Sequence, residues 1–198
     1  AIELAEKAAG VSRKFPDTRV VRSGERLPVA RLMARVGDGP AEALLAARDG
    51  VLYKGRGYPP GLEAGLPWLD GVRLSRAGAG FAPIEGMETV SDLLEQARTD
   101  APELYRDIRV VSLERLAEDG VLLARMGAAE RVRFGTREGF PAQIRRLEWT
   151  LGRLRAENPG ARVRSVDLSI GATQVPVTLD EAPAARGART ARGRIFQP

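Results

Sequence analysis

The sequence predicts an α+β fold: a short αβββ unit, then a strand-rich body carrying two amphipathic helices, then a basic tail. Three observations lead there. Apolar residues recur at helical spacing over two sizeable stretches, 89–98 and 141–157. Short apolar runs bounded by Gly, Pro, Asn or Asp fill most of the remainder. The 22 Gly and 13 Pro supply the turns that many short strands need.

Taken in order, residues 2–9 (IELAEKAA) read as a helix end, with Gly10 as its stop. Val11–Phe15 is the first strand, Pro16-Asp17 a turn, and Arg19–Gly24 the second strand. Ser23 and Gly24 are poor strand residues, so a bulge is expected there. Leu27–Val36 is the third, with Val29, Arg31, Met33 and Arg35 on one face. GDGP, residues 37–40, breaks the chain. Asp49-Gly50 between two apolar runs predicts a hairpin, because this pair tolerates left-handed dihedrals. GRGYPPG is a loop. Its glycines follow no strand-to-helix pattern, so it is discounted as a phosphate cradle.

Val90, Leu93, Leu94 and Ala97 define the first amphipathic helix. IRVVSL, VLLARM and ERVRF then read as three strands. Pro141 suits the start of the second helix, whose stripe is Ile144, Leu147, Leu151 and Leu154, and Asn158-Pro159-Gly160 ends it. Val163–Ile170 and Thr173–Leu179 are the last two strands. Residues 181–198 lack periodicity and are rich in Ala, Arg, Gly and Pro, so a disordered basic tail is expected. The expected organisation is thus 1–37, 38–180 and 181–198.

Composition excludes several chemistries. There is no Cys and no His, which removes thiol nucleophiles, Ser-His pairs and the common zinc sites. No nucleophile elbow or Walker loop is present. Glu114, Glu118 and Asp119 form the tightest acidic cluster and read as a solvated patch rather than an acid/base pair. No catalytic, cofactor or metal residue is assigned. Trp68 and Trp149 are core or interface anchors, and Trp149 lies off the apolar stripe of its helix. No apolar run reaches the roughly 20 residues that cross a bilayer. The net charge is +5 and the pI about 10.2, which suits nucleic acid, an acidic membrane surface, an acidic partner or a solvated Arg-rich face.

The last strand carries Pro176. Proline donates no backbone hydrogen bond, so this strand belongs on a sheet edge or a bulge. An edge either accepts a partner strand or, with Pro176 blocking, refuses one.

Taken together, these stretches resemble the FtsQ/DivIB family of cell-division proteins. FPDTRVVRSGERLPVAR is similar to the close of that family's POTRA domain, through Phe15, Pro16, Asp17, Glu25, Pro28, Val29, Ala30 and Arg31. ARDGVLY resembles its hairpin, GLPWLDG its Leu-Pro segment, RVRFGTREGFPAQIRRLEWTL its strand, turn and long helix, and SVDLSI its penultimate strand. The resemblance implies the end of a POTRA domain followed by a β domain, in a bitopic protein. Its membrane helix would lie outside the present chain, and this part on the outer (periplasmic) side of the cytoplasmic membrane at the division site. It implies no enzymatic activity and no nucleic-acid partner. Instead it implies a divisome scaffold that binds FtsB/FtsL-type proteins, among other divisome membrane proteins, by strand pairing.

Carried over by position, the partner edge is Ile170, Gly171, Thr173, Gln174, Val175, Val177 and Leu179. On that expectation Val175→Asp or Val177→Asp weakens partner binding without unfolding the domain. Three departures stand out: Ile170 occupies an aromatic position of the family, Glu118 and Asp119 stand near a position where the family often has Arg, and Pro176 removes one backbone donor. The alternative, from charge and tail alone, is a basic cytosolic nucleic-acid-binding protein, whose affinity would fall steeply with salt.

Overall fold

A computed structural model describes residues 8–13, 19–24, 26–35, 39–55, 58, 61–78, 80–171, 173–180 and 194–196, with 8–13, 19–24 and 194–196 described by backbone alone. In chain order the elements are β1 (Ala8–Arg13), β2 (Arg19–Gly24), β3 (Pro28–Arg35), β4 (Ala41–Ala47), β5 (Leu52–Tyr53), β6 (Trp68–Asp70), β7 (Arg76–Ala77) and β8 (Gly80–Phe81). Then come α1 (Met87–Asp100), α2 (Pro102–Asp107), β9 (Ile108–Ser112), α3 (Leu116–Asp119), β10 (Val121–Met126) and β11 (Ala129–Gly135). The chain closes with α4 (Phe140–Glu157), β12 (Arg162–Asp167), β13 (Val175–Asp180) and β14 (Arg194–Phe196). The protein is α+β, as its sequence predicts. Contacts divide it into two units, Ala1–Leu66 with Arg73–Met87, and Pro67–Val72 with Glu88–Pro198.

In the first unit, β1 and β2 pair antiparallel from Ala8↔Gly24 to Arg13↔Arg19 without a shift in register. Two expectations are corrected here. Ala8, Ala9 and Gly10 belong to a strand rather than a helix end, and Ser23-Gly24 stays in the ladder rather than bulging. A helix of two turns is marginal by itself, and pairing with a distant strand overrides it. Residues 2–7, the Phe15-Pro16-Asp17 turn and Glu25 lie outside the described residues. A shift in register sits elsewhere, between Pro28 and Ala30 in the pairing of β3 with β4. β3 alternates as a half-buried strand should: Ala30, Leu32 and Ala34 are buried, while Met33 and Arg35 are exposed. The expected boundary after residue 37 falls between the two strands of the β3–β4 hairpin.

The predicted Asp49-Gly50 hairpin joins β4 to β5, with Ala46↔Leu52 and Leu45↔Tyr53. Its loop is longer than two residues. Gly50 donates to the Ala47 carbonyl at 3.0 Å, and Asp49 Oδ1 accepts from Val51 N–H at 3.2 Å. Gly50 has φ +79°, and a Cβ there would sit 2.3 Å from the Ile84 carbonyl oxygen, so only glycine fits. Leu45, Ala47, Tyr53 and Leu66 form a small core, flanked by Tyr58. The Tyr58 hydroxyl donates to the Arg26 carbonyl, and the Tyr53 hydroxyl lies 3.2 Å from that carbonyl and within hydrogen-bond distance of the Tyr58 hydroxyl, at 3.3 Å. Burial, and then the hydrogen bond to Tyr58, pushes the Tyr53 phenol far above its ordinary pKa, so it stays a neutral donor.

The second unit is built on a mixed sheet of order β14-β13-β12-β11-β10-β9-β6. The β11–β12 and β6–β9 pairs are parallel and the others antiparallel. One face is apolar: Val111, Leu122, Ala124, Val132, Phe134, Val166, Val175 and Val177 are all buried. The other face carries the ion pairs Arg125–Asp70 at 2.7 Å and Arg133–Asp167 at 3.3 Å, beside the half-buried Val110 and Leu123. The two predicted helices are α1 and α4. Each predicted apolar stripe is buried: Val90, Leu93, Leu94 and Ala97 on α1, and Ile144, Leu147, Leu151 and Leu154 on α4. Each such Leu or Ile stabilises the fold by about 1.5–3 kcal/mol relative to exposure. The short helices α2 and α3, and strands β6 to β8, carry too few residues for a periodic signal and were not expected.

Two groups on α4 fix this unit. Gln143, fully buried, accepts from Gly135 N–H at 2.9 Å and donates to the carbonyls of Gly135 at 2.7 Å and Glu138 at 2.8 Å. Its amide thus takes up the backbone groups of Gly135 at the end of β11. One turn on, Arg146 grips Glu138 with two hydrogen bonds of 2.7 and 2.6 Å. The Arg146 side chain is only 10% exposed, so this pair is poorly screened. Its hydrogen bonds hold the Glu138 carboxyl below the ordinary 4.5.

Replacing Gln143 by Leu leaves buried backbone groups unpaired. A loss of about 2–5 kcal/mol is expected, seen as a lower urea midpoint with unchanged slope. Arg146→Met is expected to cost about 1–3 kcal/mol at pH 7. Because the folded pKa of Glu138 is depressed, its contribution is present above the unfolded value near 4.5 and fades as pH falls through the folded value. Arg146→Met therefore also flattens stability against pH in that acid window, which denaturation at pH 3 to 7 measures.

Candidate protein-interaction edge

The edge at β13 is placed by a chain of pairings that starts at β11. β12 lies parallel to it, with Arg131↔Ser165, Val132↔Val166 and Arg133↔Asp167. Asp167 then ends β12, because its Oδ1 accepts from both the amide and the hydroxyl of Ser169, at 2.9 and 2.6 Å. The strand predicted to run to Ile170 therefore stops three residues earlier. β13 returns antiparallel, with Val166↔Val177, Ser165↔Thr178 and Val163↔Leu179, and a shift in register between Val163 and Ser165.

The residues assigned to partner binding separate into two groups. Ile170 lies in the bend after β12 and is 69% exposed. Gly171 follows with φ +138°, a conformation that favours glycine. Thr173 and Gln174 are exposed and precede β13 rather than belonging to it, so the strand runs Val175–Asp180 instead of Thr173–Leu179. Val175 and Val177 are 1% and 2% exposed, with side chains in the core. What these two can offer a partner is their backbone alone. The expectation that Val175→Asp or Val177→Asp spares the fold is therefore corrected. Both changes place a carboxylate among Val166, Val132 and their neighbours. Leu179 is half-buried. It lines a cleft of about 160 Å³ with Leu151, Leu154, Asn158 and Val163, below the 300–1,000 Å³ usual for small-molecule sites.

β13 is also not the outermost strand. β14 pairs with it antiparallel through Val175↔Phe196, Pro176↔Ile195 and Val177↔Arg194. This corrects the expectation of a wholly unstructured tail; residues 181–193, 197 and 198 lie outside the described residues. An Arg-Ile-Phe tripeptide gives no periodicity to read. It is held by backbone pairing, which carries no sequence signature at that length. Among the described residues, the pairing with β14 reaches Val177, and no strand is paired with Thr178, Leu179 and Asp180 on that side.

The other singled-out residues do not converge on this edge. Asp119 is held by Arg115 at 2.5 Å and Glu118 is exposed at the end of α3. Trp149 is 42% exposed, with the Arg153 guanidinium 5.3 Å from its ring. Trp68 is half-buried on β6. Among the described residues no three His, Cys, Asp or Glu side chains cluster as metal ligands, and no helix is long and apolar enough to cross a membrane. No family model, curated protein or solved structure matches the chain.

Val177→Asp is expected to destabilise the second unit by more than about 3 kcal/mol, whereas Thr178→Asp, next to it and exposed, changes stability by no more than about 0.5 kcal/mol. Thermal unfolding of both variants checks the pair.

Proposed function

We propose that this chain is a non-enzymatic scaffold that binds a partner's extended segment along β13, as an extracytoplasmic cell-division protein similar to the FtsQ/DivIB family. The observation that carries the reading is the edge itself. β13 is anchored through Val175 and Val177 on the apolar face, and its backbone groups at Thr178–Asp180 have no described strand beside them. Strand addition needs this combination: a rigid edge and open main-chain groups.

The ordered motifs Pro28-Val29-Ala30-Arg31, Asp49-Gly50, Leu66-Pro67 and Val166-Asp167-Leu168 support the family. The first would be the end of a POTRA domain, and the mixed sheet would be the β domain. The partner would be an FtsB/FtsL-type protein held in the same membrane, the scaffold being anchored by a helix outside this chain.

Each main-chain hydrogen bond contributes roughly 0.5–1.5 kcal/mol net, so an edge of this length gives modest affinity. Co-localisation in one membrane raises the effective concentration enough for that to suffice. The cleft beside Leu179 is sized for one partner side chain and would supply selectivity.

Hydrogen exchange provides the test. Binding of an FtsB/FtsL-type extracytoplasmic segment is expected to slow exchange at those amides of Thr178–Asp180 that face away from β12, while leaving β9 and β10 unchanged. Binding without protection on β13 would reject this surface, and absence of binding would reject the partner class.

A further inference from the structure

Two neighbouring strands of the second unit depart from simple alternation at the same level. On β11, Ala129 and Val132 are both buried, and Glu130 and Arg131 between them are both exposed. On β12, Val163 lines a cleft with Leu151 and Leu154, Val166 is buried, and Arg164 and Ser165 lie between them. The register of β12 with β13 shifts here, so Arg164 is an extra residue opposite the step from Leu179 to Thr178. An extra residue of this kind re-aims its side chain, and it brings Arg164 to the face that carries Ser165. Direct pairing sets Arg131 beside Ser165, and Ser165 beside Thr178.

Glu130, Arg131, Arg164, Ser165 and Thr178 line one depression of about 200 Å³. That is below the 300–1,000 Å³ usual for whole small molecules, so it suits a single functional group. Its charges are not matched internally. Among the described residues no acid pairs with Arg131 and no base with Glu130, and the Ser165 and Thr178 hydroxyls make no hydrogen bond. Elsewhere on this face the arginines are paired, Arg125 with Asp70 at 2.7 Å and Arg133 with Asp167 at 3.3 Å, whereas Arg164 reaches Asp180 only at 4.0 Å.

We infer that this depression is a carboxylate-binding site, which takes the Asp or Glu side chain of an acidic segment of a partner protein. The Arg131 guanidinium offers the parallel donors that match a carboxylate's two oxygens. Arg164 supplies a second cation, and the two hydroxyls supply further donors. Charge selects the group. Two guanidinium groups face one carboxylate, that of Glu130, and so leave one positive charge. A monoanion balances it. A phosphate dianion exceeds it and meets Glu130. Because these side chains are exposed, the contact is weak and salt-sensitive. The site lies on the face of the sheet, not on its edge, and stands apart from the strand pairing proposed above.

NMR titration of the full-length chain at low salt tests this. The probe is acetyl-Gly-Gly-Glu-Gly-Gly-amide, whose one charge is its carboxylate, followed at the amides of Arg131, Ser165 and Thr178. The peptide should shift these amides, and its Gln counterpart should not. Arg131→Gln should weaken binding about fivefold. Thr178→Val, which removes a donor and no charge, should weaken it about threefold. Glu130→Gln, which removes the opposing carboxylate, should tighten it about twofold.

Arg125→Gln removes the same charge from the same face outside the depression, and should leave the affinity unchanged. All these side chains are exposed, and unaltered amide shifts of Val111 and Leu122 check that each variant is folded. No shift with the Glu peptide would overturn the inference. Equal losses for Arg125→Gln and Arg131→Gln would also overturn it, leaving only a general attraction to a basic face. Tighter binding of inorganic phosphate than of the peptide would overturn the choice of a carboxylate, and sodium acetate binding as tightly as the peptide would overturn the choice of a protein segment as its source. No division protein enters the titration, so its failure is distinct from failure of the edge-pairing function.

Discussion

The second unit depends on one buried amide. Gln143 lies inside the apolar face of α4, where a polar group is costly unless every bond is made. Here both ends of the amide are used, on Gly135 and on Glu138. Gly135 ends β11 and pairs with Val121 on its other side. Gln143 therefore stands where another strand would, and sets the position of α4 against the sheet. The Glu138–Arg146 pair one turn later clamps the same loop. With β11 held, the parallel placement of β12 follows, and through β12 that of β13.

The same logic explains why the candidate site has so little chemistry of its own. Its side chains that point inward are valines, which give the edge rigidity. What points sideways is backbone. Polar side chains near the edge, such as Thr178, Ser165 and Asp180, belong to the strand surface. A site made of main-chain groups needs no His, Cys or carboxylate cluster. Pro176 is consistent with this design. It weakens pairing at the position that β14 covers and leaves the donors of Thr178–Asp180 intact.

Much of the fold was legible in the residues. Ile144, Leu147, Leu151 and Leu154, and Val90, Leu93, Leu94 and Ala97, marked two helices because a buried helical face must repeat with the helical period. VLLARM marked β10 with its bounds intact. The candidate site was legible only in part. Ile170, Thr173 and Gln174 were assigned to it and lie in the approach to β13. Val175 and Val177 were assigned to it as surface side chains and lie in the core, because an apolar residue on an edge strand reads the same whichever way it faces. β14 was missed, since three residues carry no period.

The sequence by itself determined which segments are helical, where Asp49-Gly50 turns, the absence of cysteine and histidine chemistry, and the presence of a proline in the last long strand. These are local: each follows from dihedral preference, from side-chain spacing along one element, or from composition. The tertiary structure alone decided that Gly10 belongs to a strand, that Gln143 is a core residue, that β12 runs parallel to β11, and that β14 pairs with β13. Each of these is a pairing between groups far apart in sequence. Its free energy comes from burial and from hydrogen bonds between distant segments, and no window along the chain contains both partners.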